Sequence, residues 1–324
     1  MLAVLSLSLL AAPTPATGVT AFAEFKAAYQ KTYLSSKEEA LRLAAFAASL
    51  REIDAINRGA LGWTAGLNQY SDLTWLEFKQ RVLMAPQNCS ATRRSGGRGP
   101  TPTYLSAPPA IDWRDFKALN AVKNQQSCGS CWTFSTTGCL EAHTFLKTGV
   151  MTNISEQQLV DCAGAFNNQG CNGGLPSQAF EYIMFAGGID SEQAYPYTAK
   201  TGACVAKKAA GITAKVHAVV NITAQDEGEL LSAVGTVGPV SIAFEVSADF
   251  RFYKGGVYDG VCDSDAQHVN HAVVAVGYGK SVDGAPYWSV RNSWGAAWGE
   301  EGYFRIARGV NKCGLADCAS YPVV

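Results

Sequence analysis

At 324 residues the chain exceeds one average domain and suits one large folded unit plus a processed segment. Apolar side chains make up 48% of it, enough for a sizeable core, and the formal net charge is −1. So balanced a charge gives no reason to expect nucleic acid or an anionic membrane as a partner.

The chain opens on a short apolar run, Leu2 to Ala12, followed by Pro13-Thr-Pro-Ala16-Thr-Gly18, small residues suited to cleavage near Ala16 to Gly18. The run is too short to span a bilayer, and no later stretch approaches that length. Residues 1–18 therefore read as a signal peptide ahead of a soluble protein that has entered the secretory pathway. Ten cysteines agree with an oxidising compartment. Three sequons begin at Asn88, Asn153 and Asn221 and are glycan acceptors wherever they are exposed.

Residues 19–84 form the next unit, charged, Ala-rich and nearly free of proline and glycine before Gly59. Leu43, Phe46, Leu50, Ile53 and Ile56 recur at three- and four-residue spacing, the pattern of an amphipathic helix of many turns. Residues 85–92 carry a lone cysteine, Cys89. Residues 93–106, beginning Arg93-Arg-Ser-Gly-Gly-Arg-Gly-Pro, read as a flexible, basic, cleavable linker. The remainder, 107–324, is helix-rich to about residue 210. Thr133 to Lys147 runs without proline to a C′ glycine at Gly149, Ser155 and Gln158 suggest a capping box, and Leu175 to Ile183 reads as a further helix. After Lys215 the texture turns to strand, at 216–220, 240–246, 271–276, 287–290 and 302–306. Helices followed by strands indicate an α+β fold with two subdomains.

The chemistry centres on Gln125-Gln-Ser-Cys128-Gly-Ser-Cys131-Trp. Cys131 opens the predicted helix, where the positive end of the macrodipole favours thiolate. His271 follows it by 140 positions and Asn292 by 161. The midpoint of His271 and Asn292 falls within Lys280 to Gly284, a turn-rich stretch between two apolar strands; a hairpin about that turn would set the two opposite each other. The asparagine would then hold one imidazole nitrogen and leave the other for Cys131. Of the other histidines, His143 lies in the helix, His217 on a distant strand and His268 beside the hairpin's end.

The Cys-Gly-Ser-Cys-Trp motif, with His and Asn so far downstream, resembles the papain family of cysteine proteases. The resemblance implies a helical left half packed on an antiparallel β-barrel right half, preceded by a helical inhibitory propeptide. It implies Cys131 as nucleophile, His271 as its acid–base partner, Asn292 as orienter, and Gln125 with the Cys131 N–H as oxyanion donors. Trp294 would shield the His–Asn bond, and Gly173 and Gly174 would offer backbone to an extended substrate. The pattern Glu38, Arg42, Phe46, Ser49, Ile53, Asn57, followed by Gly66, Asn68, Tyr70, Asp72, looks like the two interspersed motifs of such propeptides. Ser49 and Tyr70 stand where Asn and Phe are commoner. Gln126 stands where the family mostly has glycine; if that position needs positive φ, the cost is of order 1 kcal/mol.

Pro86 to Thr92 is similar to the mini-chain of the cathepsin H and aleurain subfamily, whose terminal carboxylate (here Thr92) fills one side of the cleft. The usual first residue, Glu, is Ala85 here. By the same resemblance Cys128 pairs with Cys171, Cys162 with Cys204, Cys262 with Cys313 and Cys89 with Cys318, leaving Cys139 as a small buried residue. The expectation is a lysosomal, vacuolar or extracellular protease made as a zymogen, monomeric, mainly an aminopeptidase with some endopeptidase activity. Peptides and proteins are its substrates, its own propeptide its inhibitor, cystatin-type inhibitors candidate partners, and no cofactor or metal is called for. A plain endopeptidase is the alternative within the family. Outside it stand a thiol–disulfide oxidoreductase built on Cys128 and Cys131, which should follow a strand of a βαβ unit, zinc binding by that pair, and an inactive binding homologue. Insulin reduction beside peptide hydrolysis separates the first of these.

Overall fold

The structure, a computed structural model, describes residues 15–59, 61–87, 89, 107–206 and 212–324, with side chains from residue 18 onward. Most of the expected signal peptide, the expected linker, Asn88 and Thr92 lie outside the described residues.

The N-terminal unit holds three helices and a strand: α1 (Pro15–Ala28), α2 (Ser36–Arg58), β1 (Trp63–Ala65) and α3 (Trp75–Arg81). Ser35 caps α2 by accepting from the Glu38 N–H at 3.1 Å, and Glu38 and Glu39 sit in the first turn, where the helix dipole favours acids. Phe46 is wholly buried against Phe22 and Phe25, with ring centroids 5.4 and 4.9 Å apart, making a small core separate from the main one. The spaced motif residues form the joints of this unit. Arg42 donates to both oxygens of Glu77 at 2.9 and 2.8 Å, and that ion pair holds the Glu77 carboxyl down at about 2. Asp72 accepts from Lys31 and Tyr33, each at 3.0 Å. Asn57 bonds the N–H and C=O of Ala65, tying the end of α2 to β1. Ser49, at the atypical position, is buried with no hydrogen-bond partner among the described residues.

The second unit runs β2 (Ile111–Asp112), α4 (Cys131–Thr148), α5 (Glu156–Cys162), α6 (Pro176–Ala186), β3 (Ile189–Asp190), β4 (Ile212–Ala214), β5 (Ala218–Asn221), α7 (Glu227–Thr236), β6 (Val240–Phe244), β7 (Tyr253–Tyr258), β8 (His271–Lys280), β9 (Pro286–Arg291), β10 (Tyr303–Ala307) and β11 (Ser320–Val323). Helix α4 is buried from Cys131 through Thr144, between the helical half and the face of β8, and ends at Gly149 with φ 75°. The capping box expected at Ser155 is only half made. Ser155 accepts from the Gln158 N–H, but the Gln158 amide is spent on the Asp190 N–H and Tyr182.

The sheet half departs from a closed antiparallel barrel. Its strands run β1-β7-β10-β9-β8-β6-β11-β5, with β2 added to the far end of β8, so the sheet stays open, and β10 pairs β7 in parallel. One edge strand, β1, comes from the N-terminal unit and pairs β7 through Trp63↔Gly256 and Thr64↔Gly255. The N-terminal unit is thus docked by strand addition as well as by side chains. Asn68 donates to the Arg251 carbonyl at 2.7 Å, and Arg251 reaches back to Glu52 at 2.9 Å.

The structure holds four disulfides, Cys89–Cys318, Cys128–Cys171, Cys162–Cys204 and Cys262–Cys313, with Cys131 and Cys139 as buried free thiols. Cys139 donates to the Pro239 carbonyl at 3.2 Å, and His143 bonds the same carbonyl at 2.8 Å. His217 and His268 are exposed.

Candidate active site

Cys131 is the first residue of α4, and its sulfur accepts the N–H of Ala272 at 3.3 Å. The thiol therefore lies against the residue that follows His271. His271 begins β8, and its Nε2 lies 2.8 Å from Asn292 Oδ1. That oxygen accepts, so Nε2 carries the proton, and Nδ1 is left buried with no hydrogen-bond partner among the described residues. The Asn292 amide oxygen also accepts the N–H of Ser293 at 2.8 Å, which fixes its orientation.

The expected hairpin register needs correcting. The turn spans Ser281 to Ala285, and the ladder pairs Lys280 with Pro286 and Val274 with Arg291, with an irregularity between Ala275 and Gly277. His271 and Asn292 are therefore not directly opposed. Asn292 lies just past β9, and the two side chains meet on a diagonal, within the reach of long side chains on one face. Trp294 covers them, wholly buried, its ring centroid 4.7 Å from that of His271.

Gln125 is wholly buried with both amide protons spent, on the Val82 carbonyl at 2.7 Å and the Cys128 carbonyl at 2.9 Å. Its amide oxygen accepts from Ser293 Oγ at 2.7 Å, so the NH₂ face is turned to the cleft. Gln126 adopts φ 57°, the left-handed region that glycine would occupy freely, and its N–H is held by Asn124 Oδ1 at 2.9 Å.

The cleft is filled by the chain's own residues 82–87. Met84 N–H donates to Asn270 O at 3.0 Å, Ala85 N–H to Asn172 O at 2.9 Å, and Gln87 N–H to Val269 O at 3.0 Å. Toward this covering segment it is the residue before Gly173 and Gly174 that offers backbone. The acceptor on this wall is Asn172, because Gly173 bonds within its own turn to Gly170 and Gln169. A Cβ on Gly173, at φ +129°, would stand 2.9 Å from Met84 Cβ, so glycine is what lets the covering chain come this close. Gly174 packs on Trp132 and Asn168. Asn172, Val269, Asn270 and Ser293 escaped sequence reasoning, since three act through backbone carbonyls that any residue carries. For Ser293 the adjacency to Asn292 was the only signal.

Covering discharges the pair. Burial pushes the Cys131 thiol up to about 12, against smaller opposing contributions from backbone N–H groups including that of Met84. Burial pulls His271 down to about 4, with the Asn292 bond opposing. Desolvation outweighs the helix end, and both groups are neutral under the cover. Of the sequons, Asn153 is exposed, whereas Asn221 is half-buried on β5 with its amide oxygen enclosed.

The profile of the papain family cysteine proteases matches residues 107–323, and that of the cathepsin propeptide inhibitor domain matches residues 22–78. The chain is 53% identical to thiol protease aleurain of Arabidopsis thaliana over 94% of its own length and 84% of the relative's. It is 51% identical to pro-cathepsin H of Bos taurus over 93% and 89%. Among solved structures it is similar to digestive procathepsin L 3 of Tenebrio molitor, with TM-score 0.85, 35% identity, and coverage of 95% of this chain and 99% of the other. A cysteine at a helix end, a His–Asn pair and a self-occupied cleft thus coincide with matches to both units, and the chain belongs to the papain family of cysteine proteases, as a zymogen with its inhibitory propeptide in place.

Proposed function

We propose that the zymogen matures, by cuts near residue 84 and within 93–106, into an enzyme that mainly removes residues from the free N-terminus of peptides and has some endopeptidase action. Residues 1–18 are the signal peptide, 19–84 the propeptide, 85–92 a retained mini-chain, 93–106 the discarded linker and 107–324 the peptidase. Routing through the secretory pathway to a lysosome, a vacuole or the exterior accords with the disulfides and with the relatives' kinship, and of the two described sequons Asn153 is the better exposed to glycan addition.

Once residues 82–84, the propeptide end of the cover, leave, Cys131 and His271 share one proton as thiolate and imidazolium. The sulfur attacks the scissile carbonyl carbon, and the carbonyl electron pair moves to oxygen. That oxyanion is held by the Cys131 N–H and the Gln125 amide. As the tetrahedral centre collapses, the C–N bond breaks and imidazolium Nδ1–H protonates the departing amine. Water, deprotonated by the same nitrogen, then hydrolyses the thioester. Asn292 keeps Nε2 protonated throughout, and Trp294 keeps water from that bond.

The exopeptidase reading is carried by one observation: Cys89 is bonded to Cys318 of the peptidase unit, so residues 85–89 stay fastened beside the cleft when the propeptide is cut away. A carboxylate at Thr92 would then meet a substrate's α-ammonium group. The matured enzyme should hydrolyse a peptide with a free N-terminus at least about tenfold faster than its acetylated counterpart, because the free amine alone gains a charge-assisted bond. Equal rates would remove the aminopeptidase reading and favour a plain endopeptidase.

A further inference from the structure

Tyr197, in Ala194-Tyr-Pro-Tyr197, lies outside the groups assigned above. Its hydroxyl donates to the backbone carbonyl of Gln125 at 2.7 Å and lies 2.6 Å from Ser130 Oγ. With the phenolic proton committed to Gln125, the serine must be the donor in the second bond. A single oxygen thus ties the residue bearing one oxyanion donor to the residue immediately before Cys131, whose N–H is the other. The tyrosine is itself braced. Its main-chain N–H donates to Glu192 Oε1 at 2.8 Å, and its ring meets that of Phe134 edge-on, 4.9 Å between centroids.

The two residues it joins need a tie. Gln126, next to Gln125, is held at φ 57°, where a side-chain-bearing residue stores strain that a small movement of the corner would relieve. Ser130, the N-cap of α4, makes no side-chain capping bond to its own helix. Its hydroxyl is turned to Tyr197 instead.

We propose that Tyr197 is a positioning residue, its hydroxyl holding Gln125 and the Cys131 end of α4 at the spacing the oxyanion requires. The proposal rests on the oxyanion roles given above to Gln125 and the Cys131 N–H. The test uses the full chain, expressed and matured, with Tyr197→Phe. kcat for a peptide substrate should fall about tenfold with KM unchanged, the loss expected of one buried hydrogen bond. Iodoacetamide alkylation of Cys131, a displacement that forms no oxyanion, should stay within roughly twofold of wild type. Because the tyrosine acts through Gln125, adding Tyr197→Phe to Gln125→Ala should cost less than roughly twofold more. Ser130→Ala supplies the same readouts should the tyrosine variant fail to mature, with a smaller fall in kcat and the same dependence on Gln125. A parallel fall in alkylation, a rise in KM at constant kcat, or an equal effect in both backgrounds would overturn the proposal. Undiminished hydrolysis by Cys131→Ala would instead overturn the reading on which it stands.

Discussion

Cys131→Ala is expected to lower peptide hydrolysis by the matured enzyme roughly 10⁵-fold or more, the scale seen when a covalent nucleophile is removed. Among the described residues Cys131 and Cys139 are the only free thiols. Cys139 is two turns further along α4, bonded to the Pro239 carbonyl and pushed up to about 12 by burial, so Cys139→Ala serves as the control. The thiol of Cys131 is a weak acceptor, taking the Ala272 N–H at 3.3 Å, so the zymogen should lose only about 1 kcal/mol of stability. Steady-state assays beside thermal unfolding separate the two effects. Activity within tenfold of wild type, with the fold intact, would remove Cys131 from the chemistry.

On the proposed oxyanion role of Gln125, Gln125→Ala should lower kcat by about 10²–10³ and leave KM nearly unchanged, since that charge develops only in the transition state. The geometry makes the amide a fixed donor. Its oxygen is anchored by Ser293 and its NH₂ is already bonded to the Val82 carbonyl of the covering chain. In the zymogen that carbonyl uses the donor a substrate oxyanion would need, which gives inhibition by the propeptide an atomic basis. A rise in KM at constant kcat would instead mark Gln125 as a ground-state contact.

The site was legible in the sequence where chemistry depends on side-chain identity at a distinctive spacing. His271 and Asn292 are hydrogen-bonded, Cys131 lies against the N–H of Ala272 and Gln125 is anchored by Ser293, while the helix that Cys131 opens ends at Gly149. Arg42, Asn57, Asn68 and Asp72 each turned out to hold a specific joint of the propeptide unit. What escaped was set by backbone geometry. The register of β8 and β9 was displaced because the turn lies nearer β9 than the midpoint of His271 and Asn292 suggests, and because the ladder is irregular at Val276. Strands β7 and β11 lack a clear two-residue alternation, and β1, only three residues long, pairs the edge that β7 offers. The open sheet, likewise, depends on which edges the N-terminal unit covers. The discharge of the pair in the zymogen was likewise illegible, because burial by residues 82–87 is a property of the assembled chain.

That burial fixes how the zymogen should answer acid. His271 is held at about 4 against an ordinary 6.5, so the folded zymogen binds fewer protons than the unfolded chain between those values. Its stability is whole above about 6.5 and is lost as pH falls toward 4, by up to roughly 3 kcal/mol at 1.36 kcal/mol per unit. His143 is also held at about 4, but it lies inside the peptidase unit and contributes alike before and after maturation.

The most direct test of a thiolate–imidazolium pair that the propeptide keeps discharged is the rate of Cys131 alkylation by iodoacetamide against pH, in zymogen and matured enzyme side by side. The matured enzyme should react rapidly far below the ordinary thiol range near 8.5, slowing only as the pair takes up a second proton at roughly pH 4. The zymogen should react slowly through neutral pH and speed up only as acid loosens the cover. A single common profile for both forms, with its midpoint near 8.5, would contradict the account.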